Sequence, residues 1–101
     1  MDTSKKVVIV TGASRGLGEA IARQVAKMGG SLVLNARSAD KLEAVAEELR
    51  KMGADVVAVP GDVTDPSTAD KIIAQALGHY GKIDSLVNNS GIIEPIAPLS
   101  K

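Results

Sequence analysis

Four short apolar runs, separated by stretches of helical periodicity, organise this chain. Lys6–Thr11 (KVVIVT) is β-branched almost throughout and stops at a glycine, as a strand buried on both faces should. From Leu17 the apolar residues recur at Leu17, Ile21, Val25 and Met28, close to helical spacing, and Gly29-Gly30 supply a stop. Ser31–Ala36 (SLVLNA) reads as the second strand. Ser38 fits the N-cap of a second helix whose buried face is Leu42, Val45, Ala46, Leu49 and Met52, with Gly53 where a C-terminal cap belongs. Asp55–Val59 (DVVAV) is the third strand. Asp65-Pro66 then reads as an N-cap followed by proline in the first turn, and Ala69, Ile72, Ile73, Ala76, Leu77 and Tyr80 form the stripe of a third helix that Gly81 ends. Ser85–Asn88 (SLVN) is the fourth strand.

The order βαβαβαβ, with crossovers too long for hairpins, predicts parallel strands joined by right-handed crossovers. That is an α/β architecture, half of a doubly wound sheet, in a single domain spanning residues 1–101. The last ten residues, IIEPIAPLSK, contain two prolines and four large aliphatics and resemble neither a finished helix nor a solvated tail.

A chain of 101 residues buries roughly 60–70% of its unfolded surface, enough for one core. Its apolar residues are almost all Val, Ile, Leu and Ala, with no Phe or Trp and Tyr80 as the sole aromatic, which suits parallel strands under small-faced helices. Twelve basic residues balance twelve acidic ones, so no global field recruits nucleic acid or a membrane surface. Any anion site must be local. The lack of cysteine excludes disulfides and thiolate chemistry, and with His79 the only histidine no metal site is expected. No stretch has the length of a signal peptide's apolar region or of a membrane span, which predicts a cytoplasmic protein.

Between the first strand and the first helix lies TGASRGLG, Thr11 to Gly18. A strand, a glycine-rich turn and a helix in that order hold phosphate for a physical reason. The glycines let the backbone turn and approach the anion, and the unpaired N–H groups of the helix N-terminus stabilise its charge. Gly12 makes the turn, Gly16 allows close approach, and Gly18 lets the helix pack against the sheet. The alternative is a merely structural turn.

Thr11-Gly12-Ala13-Ser14-Arg15-Gly16-Leu17-Gly18 resembles the Thr-Gly-x-x-x-Gly-x-Gly signature of the short-chain dehydrogenase/reductase family. Asp62-Val63 after the third strand resembles that family's adenine-contacting pair. Asn88-Asn89-Ser90-Gly91 resembles its Asn-Asn-Ala-Gly motif, with Ser90 in place of alanine. The Glu94-Pro95 that follows is similar, over a short stretch, to the sepiapterin- and benzil-reductase-like branch. The resemblance covers this whole sequence but only the first part of a family member. It implies a three-layer half-Rossmann fold, a four-stranded sheet in order 3-2-1-4 with helices on both faces, that binds a nicotinamide dinucleotide. Cofactor-binding roles then fall on Gly12, Ser14, Arg15, Gly16, Leu17 and Gly18. Asp62 and Val63 would meet the adenine, and Asn89, Ser90 and Gly91 would line the ribose edge. Asn88 would be mainly structural, bridging strands with Thr11 as a plausible partner.

Charge decides which cofactor is expected. Members that use NAD place an acidic residue near the end of strand two for the ribose hydroxyls, whereas a 2′-phosphate needs positive charge there. Here the region reads Asn35-Ala36-Arg37-Ser38, with no acid. Arg37 and Arg15 occupy positions used by NADP-preferring members, so NADP is the expected cofactor, through charge-assisted hydrogen bonds. Both arginines as solvated surface residues is the alternative.

No catalytic residue is assigned. The family's acid is a tyrosine with a lysine one turn on, but Tyr80 is followed at that spacing by Asp84, so Tyr80 reads as a packing residue. His79 and Lys82 read as surface residues. The active-site asparagine, serine, tyrosine and lysine of the family lie downstream of its Asn-Asn-Ala-Gly motif, and this chain ends ten residues after Gly91. The expectation is an NADP(H)-binding N-terminal portion of a carbonyl-reducing or alcohol-oxidising enzyme, without useful turnover alone. The alternatives are a non-catalytic dinucleotide-binding module, or a natural or engineered fragment whose properties are folding and self-association. Strand four would be an open edge, so a homodimer through that edge, sheltering Ile92, Ile93, Ile96 and Leu99, is also expected.

Overall fold

The computed structural model describes residues 5–14 and 16–89. It contains β1 (Val7–Thr11), α1 (Gly16–Lys27), β2 (Ser31–Ala36), α2 (Ala39–Lys51), β3 (Asp55–Pro60), α3 (Pro66–Tyr80) and β4 (Ser85–Asn88). The strands form one parallel sheet in the order β3-β2-β1-β4, as expected. In register, Val8 stands opposite Leu32 and Ser85, and Leu32 opposite Val56.

The strands' period of two divides the core. Val8, Val10, Leu32, Leu34 and Val56 face one side, where they pack with Ala22 of α1 and with Leu42, Val45, Ala46 and Leu49 of α2. Ile9, Val33 and Val59 face the other, against Ile72 and Ala76 of α3. β1 and β2 are buried along their whole length, which is why they read as uninterrupted apolar runs.

The capping residues act as their types require. Ser38 accepts from the Lys41 N–H at the start of α2, and Asp65 from the Ser67 N–H ahead of Pro66 in α3. Gly81 closes α3 in the left-handed conformation, φ +77°. β4 is clamped to β1 by Asp84, whose N–H donates to the Val7 carbonyl (2.9 Å) and whose Oδ2 accepts from the Val7 N–H (2.8 Å). That bond, with Lys82 beside it, holds the Asp84 carboxyl below the usual carboxylate range.

Several boundaries and faces need correction. β1 begins at Val7, not Lys6, and β3 runs through Pro60, which an edge strand tolerates because proline's missing donor faces no partner. α1 starts at Gly16 and ends at Lys27, so Met28 lies beyond it and is 74% exposed. Leu17, at 65%, is exposed as well, and so are Met52, Ile73 and Leu77. The buried positions are mostly smaller: Gly18 and Ala22 in α1, and Thr68 and Ala76 beside Ile72 in α3. A helix seated close to a sheet turns its small residues inward and leaves longer ones at its flanks.

Candidate functional site

The ends of the strands build the site. After Thr11 the chain turns through Gly12 at φ +64° and enters α1 at Gly16 at φ +62°, backbone conformations that favour glycine. A Cβ at Gly16 would meet nothing within 4 Å, so open space lies over the N-terminus of α1. Gly18 is the opposite case. A Cβ there would strike the Gly12 carbonyl oxygen and come within 2.9 Å of Asn89 Nδ2. Gly18 therefore seats the helix against the glycine turn itself, where the sequence pointed to the sheet.

Thr11 fastens this turn to β4. Its hydroxyl donates to Asn88 Oδ1 (2.9 Å) and accepts from the Asn89 N–H (2.9 Å). The expected pairing of Thr11 with Asn88 is present, and it fixes Asn89 beside the glycine turn.

A cleft of about 610 Å³ opens at the carboxyl ends of the strands. Gly12, Ser14, Gly16 and Leu17 form one wall, Gly61, Val63 and Thr64 another, and Asn89 borders it just past the end of β4. The end of β2 and the start of α2 contribute Asn35, Ala36, Arg37, Ser38 and Lys41. Leu17 was misplaced in the buried stripe of α1, but its exposure puts it on this wall. Arg15, Ser90 and Gly91 lie outside the described residues, as do the tail positions Ile92, Ile93, Ile96 and Leu99.

Arg37 is exposed at the rim and makes no ion pair among the described residues. The other described arginines do: Arg23 pairs with Glu19 and Glu48, and Arg50 with Glu43 and Glu47. Asp62 is not among the residues lining the cleft. Its Oδ1 accepts from the Thr64 N–H (2.9 Å) and hydroxyl (2.7 Å), closing a local turn. The bonds from Thr64 hold its carboxyl below the ordinary range, with a smaller contribution from the nearby Arg37 charge. The turn presents Val63 to the cleft.

Tyr80 sits at the far end of the sheet. Its hydroxyl donates toward Asp55 (3.2 Å), with the Leu32 carbonyl 3.4 Å away, and burial followed by the Asp55 charge pushes its pKa up. It is a packing residue, as its spacing implied. His79 is exposed and bonds Gln75, and no metal-binding group of side chains exists among the described residues.

Sequence reasoning missed Asn35, Thr64 and Lys41. Asn35 carried a signal, since it is polar near the end of an otherwise apolar strand, and so did Lys41, which falls in the first turn of a capped helix.

The model of the family described as short chain dehydrogenase matches residues 6–101. The chain is 46% identical over 92 residues to 11-beta-hydroxysteroid dehydrogenase-like 2 of Arabidopsis thaliana, covering 90% of this chain and 30% of the plant protein. The fold superposes on L-sorbose reductase from Gluconobacter frateurii, complexed with NADPH and L-sorbose, with TM-score 0.83 and 40% identity, over 96% of this chain and 38% of that one. It also matches 3-ketoacyl-(acyl-carrier-protein) reductase from Brucella melitensis, complexed with NADH, with TM-score 0.78 and 39% identity, over 86% of this chain and 34% of that one. The chain thus spans about a third of the length of these proteins.

Proposed function

This chain belongs to the short-chain dehydrogenase family, and from that premise we propose that its cleft binds NADP(H) as the N-terminal cofactor-binding portion of an oxidoreductase that interconverts carbonyls and alcohols. Arg37, on the rim and without an ion pair among the described residues, carries the reading. A guanidinium that makes no ion pair among the described residues, beside a strand end that offers only the neutral Asn35 and Ala36, favours a phosphomonoester over a bare ribose diol. The two structural neighbours hold NADPH and NADH respectively, so the choice of cofactor rests on these residues.

The residues present fit a dinucleotide. The open space over Gly16 admits a phosphate to the N-terminus of α1, and Gly18 brings that helix close. Gly12, Ser14, Gly16, Leu17 and Gly18 take the pyrophosphate side, and Arg15 and Arg37 the 2′-phosphate. Val63 packs on the adenine with Asp62 at its polar edge, and Asn89, Ser90 and Gly91 follow the ribose. When bound, the reduced cofactor supplies hydride. The chain's own residues bind and orient it, but its only tyrosine, Tyr80, is at the other end of the sheet and cannot serve there as the phenolic proton donor. Turnover therefore requires a catalytic portion with such a donor, and this chain alone is expected to show none.

No helix among the described residues is long and apolar enough to cross a membrane. With balanced charge and no cysteine, we take the cytoplasm as its compartment. Among the described residues the outer edge of β4 has no strand beside it, which supports self-association of the isolated chain.

Calorimetric titration with NADPH and NADH tests the reading. The chain should prefer NADPH, and Arg37→Ala should lose about 10-fold or more in NADPH affinity, the size of a charge-assisted hydrogen bond, with NADH unaffected. Equal affinity for the two cofactors in the parent chain would remove the basis for NADP(H).

A further inference from the structure

Asn35 is the one polar residue between Leu32 and Ala36 in β2, and it is 1% exposed. Its polar groups are almost all committed. The main-chain carbonyl accepts from the Ala13 N–H (3.0 Å), tying β2 to the glycine turn. Side-chain Nδ2 donates to the carbonyls of Val59 (2.9 Å) and Gly61 (3.1 Å), tying β2 to the end of β3. Both side-chain partners are acceptors, so the nitrogen of the amide must face β3 and the group cannot flip. Oδ1 is what remains. No donor among the described residues reaches it, although Asn35 lines the cleft.

A buried acceptor without a donor destabilises the fold, and a donor arriving through the cleft relieves that cost. We propose that Asn35 Oδ1 is a charge-neutral acceptor for a hydrogen-bond donor on the adenosine half of the bound dinucleotide, a ribose hydroxyl or the adenine amino group. This rests on the reading of the cleft as an NADP(H) site. Neutrality is the point of the amide. A carboxylate would accept the same hydrogen but repel a phosphomonoester, whereas an amide oxygen accepts it and leaves the phosphate attracted to Arg37. Anchoring on two β3 carbonyls holds the oxygen in place before the ligand arrives, so little ordering is needed on binding.

The test uses the ¹⁵N-labelled chain and three ligands: 2′,5′-ADP, its 3′-deoxy analogue and its 6-deamino purine analogue. The parent compound should shift the Asn35 side-chain amide resonances. The analogue lacking the relevant donor should bind about 3- to 10-fold more weakly and fail to produce that shift, which identifies the donor. In Asn35→Ala that difference in affinity should vanish while the ratio for the other analogue is kept. Should the alanine variant fail to fold by circular dichroism, Asn35→Ser, which retains a donor for β3, carries the same comparison, and the parent chain's resonances decide independently. An Asn35 that only braces the loops would lower all three affinities by a common factor and preserve every ratio, overturning the proposal. So would parent-chain affinities within about twofold for all three ligands. Absence of any 2′,5′-ADP binding would instead overturn the NADP(H) reading, and this proposal with it.

Discussion

Gly18 cannot be replaced at its position because the atom facing it is backbone. A methyl group there would meet the Gly12 carbonyl oxygen, which cannot rotate away as a side chain would. Gly18→Ala should therefore cost about 1–3 kcal/mol in urea unfolding and weaken NADPH binding as the turn moves. A variant with the parent's midpoint and affinity would contradict this packing. Glycine spacing made this residue legible in the sequence, because a turn and a helix start are local properties. The same holds for Arg37, whose meaning comes from its place one residue past a strand. Asn35 and Lys41 stand out by type and position, but neither they nor Thr64 could be assigned to the cleft from sequence, because their presence there depends on how β2, β3 and α2 come together. Asp62, which the motif marks for adenine, has a local task as well, since its Oδ1 is engaged by Thr64 in a turn that presents Val63 to the cleft.

Among the elements, strands, caps and the α2 face could be read from sequence, but the flanks of α1 and α3 could not. Ser38, Asp65 and Gly81 act through neighbours a few residues away, so their identity nearly suffices. The inward face of a helix is set by its separation from the sheet. Ala22 and Ala76 are wholly buried, while Leu77 and Met28, which fit the apolar period, are exposed. Ala22→Leu should accordingly overpack the α1 interface and cost about 1–3 kcal/mol, whereas Leu77→Ala should stay within about 0.5 kcal/mol of the parent. Urea unfolding of both variants checks this, and the reverse ranking would place the wrong face inward. The start of β4 gives a pH dependence. The Asp84 carboxyl is held low by the Val7 N–H in the fold, so its contribution is present above the unfolded value near pH 4 and is lost as acid carries the pH through the lower folded value. In an acid titration followed by circular dichroism, Asp84→Asn should lose less stability than the parent below about pH 4. Parallel curves would assign the acid sensitivity elsewhere.

For the whole molecule, the order β3-β2-β1-β4 explains both where the cleft lies and what the fold leaves open. β1 lies between β2 and β4, whose connections lead away in opposite directions, and the space above its end is where a doubly wound sheet receives a ligand. β4 has one hydrogen-bonded neighbour among the described residues, β1, and its side chains are exposed or half-buried. Two chains joining along this edge would form a continuous sheet, so light scattering should show a dimer population that grows with concentration. A monomer mass throughout would leave the edge unpaired. The topology was readable from the alternation of strands and helices, while the state of the edge depends on what else is present. The most direct measurement is the calorimetric titration of the parent chain and Arg37→Ala with NADPH and NADH. Preference for NADPH in the parent, lost with Arg37, is the result expected of a cleft shaped for a 2′-phosphate. Binding indifferent to that phosphate, or unchanged by loss of the guanidinium, would contradict it.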